Sequence, residues 1–232
     1  MNSLQKHYDS PSTAQFCLLR KMPEAGLSER IMSASTFEGK NIPPILFGSA
    51  AANLFTEKTR EITDLDYTLP EASQISIKNL ESAEIKVLAI HQDSDEAISQ
   101  YNMLDLASGN HVSLVLFPNL LYKKMLADSL PTNYNNESFY VIHPAFLVAL
   151  KCRRIMHAKS PHDLGKSGTD KRDIREIIRS LYGDAKSFRN LERQRLISYR
   201  IREPEQELMH NVIEDIFNTV SGKSHTLLEG SL

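Results

Sequence analysis

Two short polar motifs in this chain carry residues that could act together on a phosphate group. The first is Gly48-Ser49, which follows the apolar triplet 45–47, and the second is Asp64-Leu65-Asp66. Glycine lets a phosphate approach the backbone closely, and amides at the start of a following helix can bind its oxygens. Strand residues two apart point to one face, so Asp64 and Asp66 can converge on one hard cation. Two carboxylates on Mg²⁺ beside a phosphate cradle are the minimum for transferring a nucleotidyl or phosphoryl group.

The order and spacing of these motifs resemble the minimal nucleotidyltransferase superfamily, whose signature is an apolar residue, Gly-Gly or Gly-Ser, and then Asp-x-Asp. The resemblance covers roughly residues 40 to 180. It is closest to the abortive-infection (AbiEii-type) toxin group, in which an arginine precedes the first aspartate as Arg60 does here. The resemblance implies that Mg²⁺ or Mn²⁺ is bound by Asp64 and Asp66, and a nucleoside triphosphate by Gly48, Ser49 and Arg60.

A lysine in the C-terminal half is a further candidate for binding the nucleotide. Lys151 and Arg154 fall on the same helical face as Leu147 and Leu150. Charges on an apolar stripe need an anionic partner, and phosphate suits both side chains. The toxin group carries a lysine at a similar place, which implies that Lys151 contacts the nucleotide phosphates. The alternatives are that Lys151 extends to solvent, or that Asp173 pairs with Lys151 or Arg154 and joins two helices.

The superfamily resemblance also implies a third carboxylate on a later strand, which helps to hold the metal and acts as a base. The matching strand is 111–117, where Ser113 stands at the expected place. Serine is a poor metal ligand and is not a base at neutral pH. Asp105, across a predicted hairpin, is the candidate for a displaced third carboxylate. A register slip of one residue would turn it to the opposite face, and the alternative is that Asp105 faces solvent.

The composition is that of an ordinary globular protein. The 232 residues are 41% hydrophobic and 24% charged, and the formal net charge is −2, so no global basic field indicates a nucleic-acid partner. The two cysteines are too few for a disulfide framework or a zinc site. The chain starts without the apolar run of a signal peptide and contains no membrane-spanning apolar stretch, which predicts a cytoplasmic protein.

The pattern of turns and apolar residues predicts an α/β fold with a mixed sheet flanked by helices. We expect an N-terminal helical segment over 1–40, a nucleotidyltransferase-like core over 41–140 and a helical region over 141–232. The predicted strands are 45–47, 62–69, 84–90, 99–106 and 111–117, with 75–80 as strand or helix. The predicted helices are 14–22, 27–36, 49–56, 143–158, 169–182 and 188–199 and one that opens at Pro204, with a loop over 159–168.

Two functions, and as a third possibility a structural α/β protein that binds no ligand, remain open at this point. The first is a Mg²⁺-dependent nucleotidyltransferase, whose acceptor hydroxyl belongs to an RNA end, a protein or a small molecule. The second is a catalytically degenerate relative that acts as a nucleotide-binding or protein-interaction module. A toxin-like role would imply a protein partner. The C-terminal helices are locally basic and would offer RNA a patch, although a solvated face is the more usual explanation for Arg189, Arg193, Arg195, Arg200 and Arg202.

Overall fold

The computed structural model describes residues 26–56, 62, 64–92, 98–134, 137–158 and 161–219. They fall into two compact units, with the boundary between Leu147 and Val148. The helices are α1 Leu27–Ser33, α2 Gly48–Leu54, α3 Ile77–Ser82, α4 Asn119–Asp128, α5 Pro144–Met156, α6 Pro161–Tyr182, α7 Ala185–Ser198 and α8 Glu203–Asn218. The strands are β1 Ser35–Phe37, β2 Lys40–Asn41, β3 Ile45–Phe47, β4 Asp64–Pro70, β5 Gln74–Ile75, β6 Ile85–Gln92, β7 Ile98–Asp105, β8 His111–Phe117, β9 Leu130–Tyr134 and β10 Glu137–Val141. The predicted helix 14–22 lies outside the described residues.

The first unit is built on a seven-stranded sheet with the order β6-β7-β8-β4-β3-β10-β9. β4 runs parallel to β8 and β3 parallel to β10, whereas the other neighbouring strands are antiparallel. This confirms the predicted α/β class with a mixed sheet. The sequence pattern does not predict β9, because its Pro131 and Asn133 are poor strand formers. Its place at the edge of the sheet explains why a proline is tolerated there.

The two faces of the central strands differ in burial at the start of β4, whereas Thr68, further along on the face of Asp66, is fully buried. One face packs into the core through alternate apolar residues, namely Leu65, Tyr67 and Leu69 of β4 with Val112 and Leu114 of β8. Asp64 and Asp66 alternate with these residues and therefore share the other face, where both are half-buried. Period-two alternation thus fixes which face of β4 can carry chemistry.

The predicted alanine-rich helix after Gly48 is confirmed, although it ends at Leu54 rather than Thr56. Its Ala50, Ala51 and Ala52 are fully or almost fully buried, and α2 packs on β3 and β4. Small side chains allow this close approach of helix and sheet. The turn at Gly48 is therefore fixed against β4.

The predicted helix 27–36 is too long, because α1 ends at Ser33. Residues 35–37 instead form β1, the middle strand of a small sheet with β2 and β5. The Ser35 hydroxyl donates to the carbonyl of Ile31 at 2.7 Å, and Thr36 and Phe37 favour a strand. Local β-propensity and pairing with β2 and β5 outweigh the continuation of the helix.

The second unit is helical as predicted, but the predicted loop over 159–168 is wrong from Pro161 onward, where α6 begins. Proline suits the first turn of a helix. Gly165 and Gly168 each weaken a helix by about 1 kcal/mol relative to alanine, which made this stretch resemble a loop. The helix persists because its later turns bury Ile174, Ile177 and Ile178.

The predicted end of α6 at Tyr182-Gly183 is confirmed, and Gly183 has a φ of +82°. Asp184 then caps α7, since its Oδ1 accepts a hydrogen bond from the amide of Ser187 at 2.7 Å. This hydrogen bond lowers the pKa of Asp184 below its ordinary value. None of the described helices combines the length and the apolar character that crossing a bilayer would require.

Candidate functional site

The glycine turn and the acidic strand meet in the first unit. Gly48 has a φ of +68°, a conformation that side chains rarely adopt. Phe47, directly before it, pairs with Asp66 across the antiparallel strands β3 and β4. A Cβ atom placed on Gly48 would lie 2.8 Å from Cγ of Asp66 and closer still to its Oδ2. Glycine is therefore needed at this position both for the turn and for the space that the Asp66 carboxylate occupies.

The two carboxylates of β4 lie on the same half-exposed face. Asp64 pairs with His111 and Asp66 with Ser113 of the parallel strand β8. Carboxylate oxygens are the ligands that Mg²⁺ prefers, and this ion usually takes one or two protein carboxylates together with water and phosphate oxygens. The donor set of Asp64 and Asp66 fits such an ion. Within the described ranges, no cluster of three or more His, Cys, Asp or Glu side chains is arranged to hold a metal.

Neutral polar residues lie on the same face of the sheet as Asp66, Ser113 on the neighbouring strand β8 and Gln100 and Asn102 on β7, and we call these three the amide network. Gln100 Nε2 donates to Asn102 Oδ1 at 2.6 Å and to Ser113 Oγ at 3.3 Å. Asn102 Nδ2 lies 2.8 Å from Nε2 of His91. The register places Asn102 beside Ser113 and Ser113 beside Asp66. Sequence reasoning missed Gln100 and Asn102, although their period-two spacing in β7 was a usable signal.

Asp105 does not lie on the face of the sheet that carries Asp66. It shares its face of β7 with the buried Met103, which is the face opposite to that of Asn102. Its side chain is fully buried and forms an ion pair with Arg30 Nη1 at 2.9 Å. Its Oδ2 also accepts from the Ser108 hydroxyl at 2.6 Å. The alternative that Asp105 faces solvent is wrong, and the strand alternation does not bring it to Asp66.

Lys151 belongs to the second unit, where it is almost completely buried. Its Nζ donates to Asp170 Oδ1 at 3.0 Å and to Asp173 Oδ2 at 2.8 Å. Arg154 also forms an ion pair with Asp170. This confirms the alternative in which Asp173 pairs with Lys151 and joins α5 to α6. Burial, reinforced by Asp170, raises the pKa of the neighbouring Cys152 thiol, in keeping with a core role for that cysteine.

Arg60 and Ser49 are the two remaining residues of the predicted site. Arg60 lies outside the described residues, so its predicted contact with the nucleotide stays a prediction. Ser49 is half-buried in the first turn of α2, directly after Gly48. Ser49 therefore directly follows the glycine whose turn lies against Asp66.

Three of the five arginines named above for the C-terminal helices form ion pairs. Arg189 bonds to Glu207 at 2.8 Å and Arg193 to Glu203 at 2.5 Å, both between α7 and α8. Arg195 pairs with the buried Glu192 within α7. These glutamates neutralise much of the local positive charge, which weakens this surface as a docking site for RNA.

No protein-family model matches the chain, and no curated protein matches it significantly. Among solved structures, an antigenic nucleotidyltransferase-like protein from Paracoccidioides brasiliensis is similar, at 14% identity and a TM-score of 0.42 over 87% of this chain and 94% of that one. The Megavirus polyadenylate synthase is similar at 9% identity and a TM-score of 0.42, over 76% of this chain and 34% of that one. Likenesses at this level decide neither the activity nor the substrate of this chain.

Proposed function

We propose that the first unit binds a nucleoside triphosphate with Mg²⁺ or Mn²⁺, and that the chain transfers the nucleotidyl group to an acceptor hydroxyl. The contact between Gly48 and Asp66 carries this proposal. It joins a glycine turn, which can approach a phosphate, to a strand with two carboxylates on one half-exposed face. A phosphate cradle beside a pair of hard oxygen ligands is what such a transfer requires.

The proposal gives each residue a role. Asp64 and Asp66 hold the divalent ion, which neutralises the charge of the triphosphate when bound. Gly48 keeps the backbone of the turn accessible, and Ser49 is assigned the hydrogen bonds to the phosphate oxygens. Arg60 adds positive charge, as the superfamily resemblance implies. We do not assign a phosphate role to Lys151, because it would have to leave two buried carboxylates.

The transfer itself is a displacement at phosphorus. The acceptor oxygen forms a bond to the α-phosphorus, and the bond between that phosphorus and the bridging oxygen breaks. Pyrophosphate leaves with the electron pair, and the acceptor proton passes to water or to a base. We do not assign Asp105 as that base, because it lies on the other face of the sheet with Arg30 as its partner.

A nucleotide-binding module without turnover is the second candidate, and one observation favours it. The two cross-strand neighbours of Asp66 are Phe47 and Ser113, and neither carries a carboxylate. Loss of one metal carboxylate from such a site costs several kcal/mol of transition-state stabilisation, on the order of a thousandfold in rate. The fold would then bind nucleotide or a protein partner without catalysing transfer.

Calorimetry with each of the four nucleoside triphosphates, with and without Mg²⁺, tests the proposal. We expect metal-dependent binding that the double variant Asp64→Asn, Asp66→Asn abolishes, together with slow release of pyrophosphate. The matched control is Glu81→Gln with Glu84→Gln, which removes two exposed charges from the same unit. Binding without pyrophosphate release supports the nucleotide-binding module, whereas no nucleotide binding by the wild-type chain contradicts both the enzyme and that module and leaves only the protein-interaction form of the second candidate.

The class of acceptor also belongs to the proposal, and a toxin-like role would add a protein partner. Incubation with an α-labelled nucleotide and separate pools of RNA, protein and small metabolites would identify the acceptor class by where the label appears. The ion pairs of Arg189 and Arg193 favour an acceptor other than long RNA. Label on RNA ends that is lost in the Asp64→Asn, Asp66→Asn variant would overturn that preference.

A further inference from the structure

A cleft of about 160 Å³ opens between helices α5, α6 and α8 of the second unit. Much of its wall is apolar and comes from Ile155 of α5 and from Val212 and Ile216 of α8. Ile155 and Val212 are only half-buried, so they keep apolar surface that a ligand could cover. A cavity of about 150 Å³ with apolar walls holds benzene, so this cleft can take an organic body of that size.

Two cations of α6 line the same cleft. Lys171 and Arg175 lie one helical turn apart, and Lys171 is exposed to water. The acid of the lining is Asp215, which is also exposed. The hydroxyl of Thr219 is engaged at the end of α8, where it donates to the carbonyl of Asp215 at 2.7 Å. The lining therefore has one more positive charge than negative, although the whole chain carries a formal net charge of −2.

The guanidinium of Arg175 has a hydrogen-bond donor that the described residues leave unpaired. Its Nη2 donates to the carbonyl of Ile216 at 3.0 Å, but its Nε is buried and has no acceptor in the described part of the chain. A buried donor without an acceptor costs free energy, and such a donor in a native structure can mark the place of an ion or ligand. Carboxylate is the natural acceptor, because the N–H groups of arginine form a planar fork that matches its two oxygens.

Another arginine of the second unit shows the arrangement that Arg175 lacks. Arg153 of α5 pairs with Glu205 of α8, so that a facing helix supplies the carboxylate. Across from Arg175, α8 supplies instead the carbonyl of Ile216 and the apolar side chain of Val212. A carboxylate from outside the chain would complete the same pattern at Arg175.

We propose that the cleft binds a small organic carboxylate whose apolar body is about the size of a benzene ring. The carboxylate accepts hydrogen bonds from the Arg175 guanidinium, after a small rotation that turns Nε toward the cleft, and Lys171 adds positive charge at the rim. The apolar body packs against Ile155, Val212 and Ile216. The proposal goes beyond the nucleotidyl transfer, because every residue of this lining belongs to the second unit.

Benzoate and benzamide test the proposal on the full chain, because they have nearly the same shape and differ in charge. We expect calorimetry to show saturable binding of benzoate below about 10 mM, at least about tenfold tighter than that of benzamide. Nuclear magnetic resonance should show that benzoate shifts the Nε–H signal of Arg175, which is assigned by its loss in Arg175→Lys. Inorganic phosphate, which has no apolar body, should bind more weakly than benzoate.

Variants of the lining isolate the charges that the carboxylate meets. Arg175→Gln should weaken benzoate binding at least about tenfold, and Asp215→Asn should strengthen it slightly because it removes a like charge. The matched control is Arg172→Gln, which removes an exposed charge from the same helix outside the lining of the cleft. This control should leave the affinity for benzoate unchanged.

Equal affinities for benzoate and benzamide would overturn the proposal, and so would benzoate binding that a folded Arg175→Gln variant retains in full. Absence of saturable benzoate binding by the wild-type chain, or phosphate binding as tight as that of benzoate, also contradicts it. Circular dichroism checks that each variant is folded. If Arg175→Gln unfolds, the Arg175 Nε–H signal and the comparison of benzoate with benzamide decide the question on the wild-type chain.

Discussion

Two pairs of aspartates in this chain lie close together in sequence, yet their surroundings are opposite. Asp64 and Asp66 share the half-exposed face of β4, beside the neutral amide network. Asp170 and Asp173 lie on α6, are both buried, and both accept a hydrogen bond from Lys151. The first pair lies where a ligand can approach, whereas the second is neutralised inside the protein.

The comparison teaches that a carboxylate pair is a candidate ligand site only when the fold leaves its charge accessible. Taking charges out of water costs several kcal/mol for each ion, and this cost is recovered only by close partners. Lys151 and Arg154 provide those partners for Asp170. A metal or phosphate could not displace them without exposing an uncompensated buried charge.

The largest effect on stability should follow from removing the charge of Lys151, which binds Asp170 and Asp173. Lys151→Met leaves Asp170 and Asp173 short of a partner, and we expect the free energy of unfolding to fall by about 3–5 kcal/mol. Urea denaturation followed by circular dichroism measures it. The triple variant that adds Asp170→Asn and Asp173→Asn should recover much of the loss. The double variant Asp64→Asn, Asp66→Asn should lose less than about 1 kcal/mol. If Lys151→Met loses no more than that double variant, the two aspartate pairs do not differ in the way described.

Gly48→Ala should have the next largest effect, and it probes the first pair. The added Cβ meets the Asp66 carboxylate and strains a residue with a φ of +68°, so we expect a loss of about 1–3 kcal/mol together with weaker nucleotide binding. The control is Gly39→Ala, where φ is +74° but no atom lies within 4 Å of the new Cβ. Equal losses in the two variants would show that the contact with Asp66 contributes nothing.

Asp105→Asn sharpens the comparison by testing a buried carboxylate in the same unit as Asp64. It removes the charge that Arg30 and the Ser108 hydroxyl bind, and we expect a loss of about 1–3 kcal/mol in the free energy of unfolding. Nucleotide affinity, measured by calorimetry on the Mn²⁺ complex, should not change. A tenfold weakening of that affinity would place Asp105 back in the binding site.

The smallest effect is the contribution of His210, in the second unit, to the pH dependence of stability. Burial, followed by the charge of Arg189, lowers the pKa of His210 below its ordinary value of 6.5. The unfolded chain therefore takes up this proton first, so stability falls as pH drops below 6.5 and levels off below the folded-state pKa. The slope is at most about 1.4 kcal/mol per pH unit. Thermal unfolding between about pH 7 and pH 5 should show a shallower slope in His210→Gln than in His111→Gln, and equal slopes would contradict the assignment.

The chain's local patterns were enough to predict the central elements. An apolar triplet before a glycine, an alternating acidic strand and a helix of alanines predicted β3, β4 and α2 closely. Local patterns did not reveal β9, whose Pro131 is acceptable only at a sheet edge. They also suggested a loop where α6 begins, because Gly165 and Gly168 weaken a helix locally while burial of later turns stabilises it.

By itself the sequence determined that Asp64 and Asp66 share a face, because alternation along a strand is a local property of the backbone. It also determined that Gly48 is a turn between strand and helix. Only the tertiary structure decided that the turn lies against Asp66, that Asp105 points to the other face, and that Lys151 binds two aspartates. Those outcomes depend on strand order, register and helix packing, which arise from contacts between residues far apart in the chain.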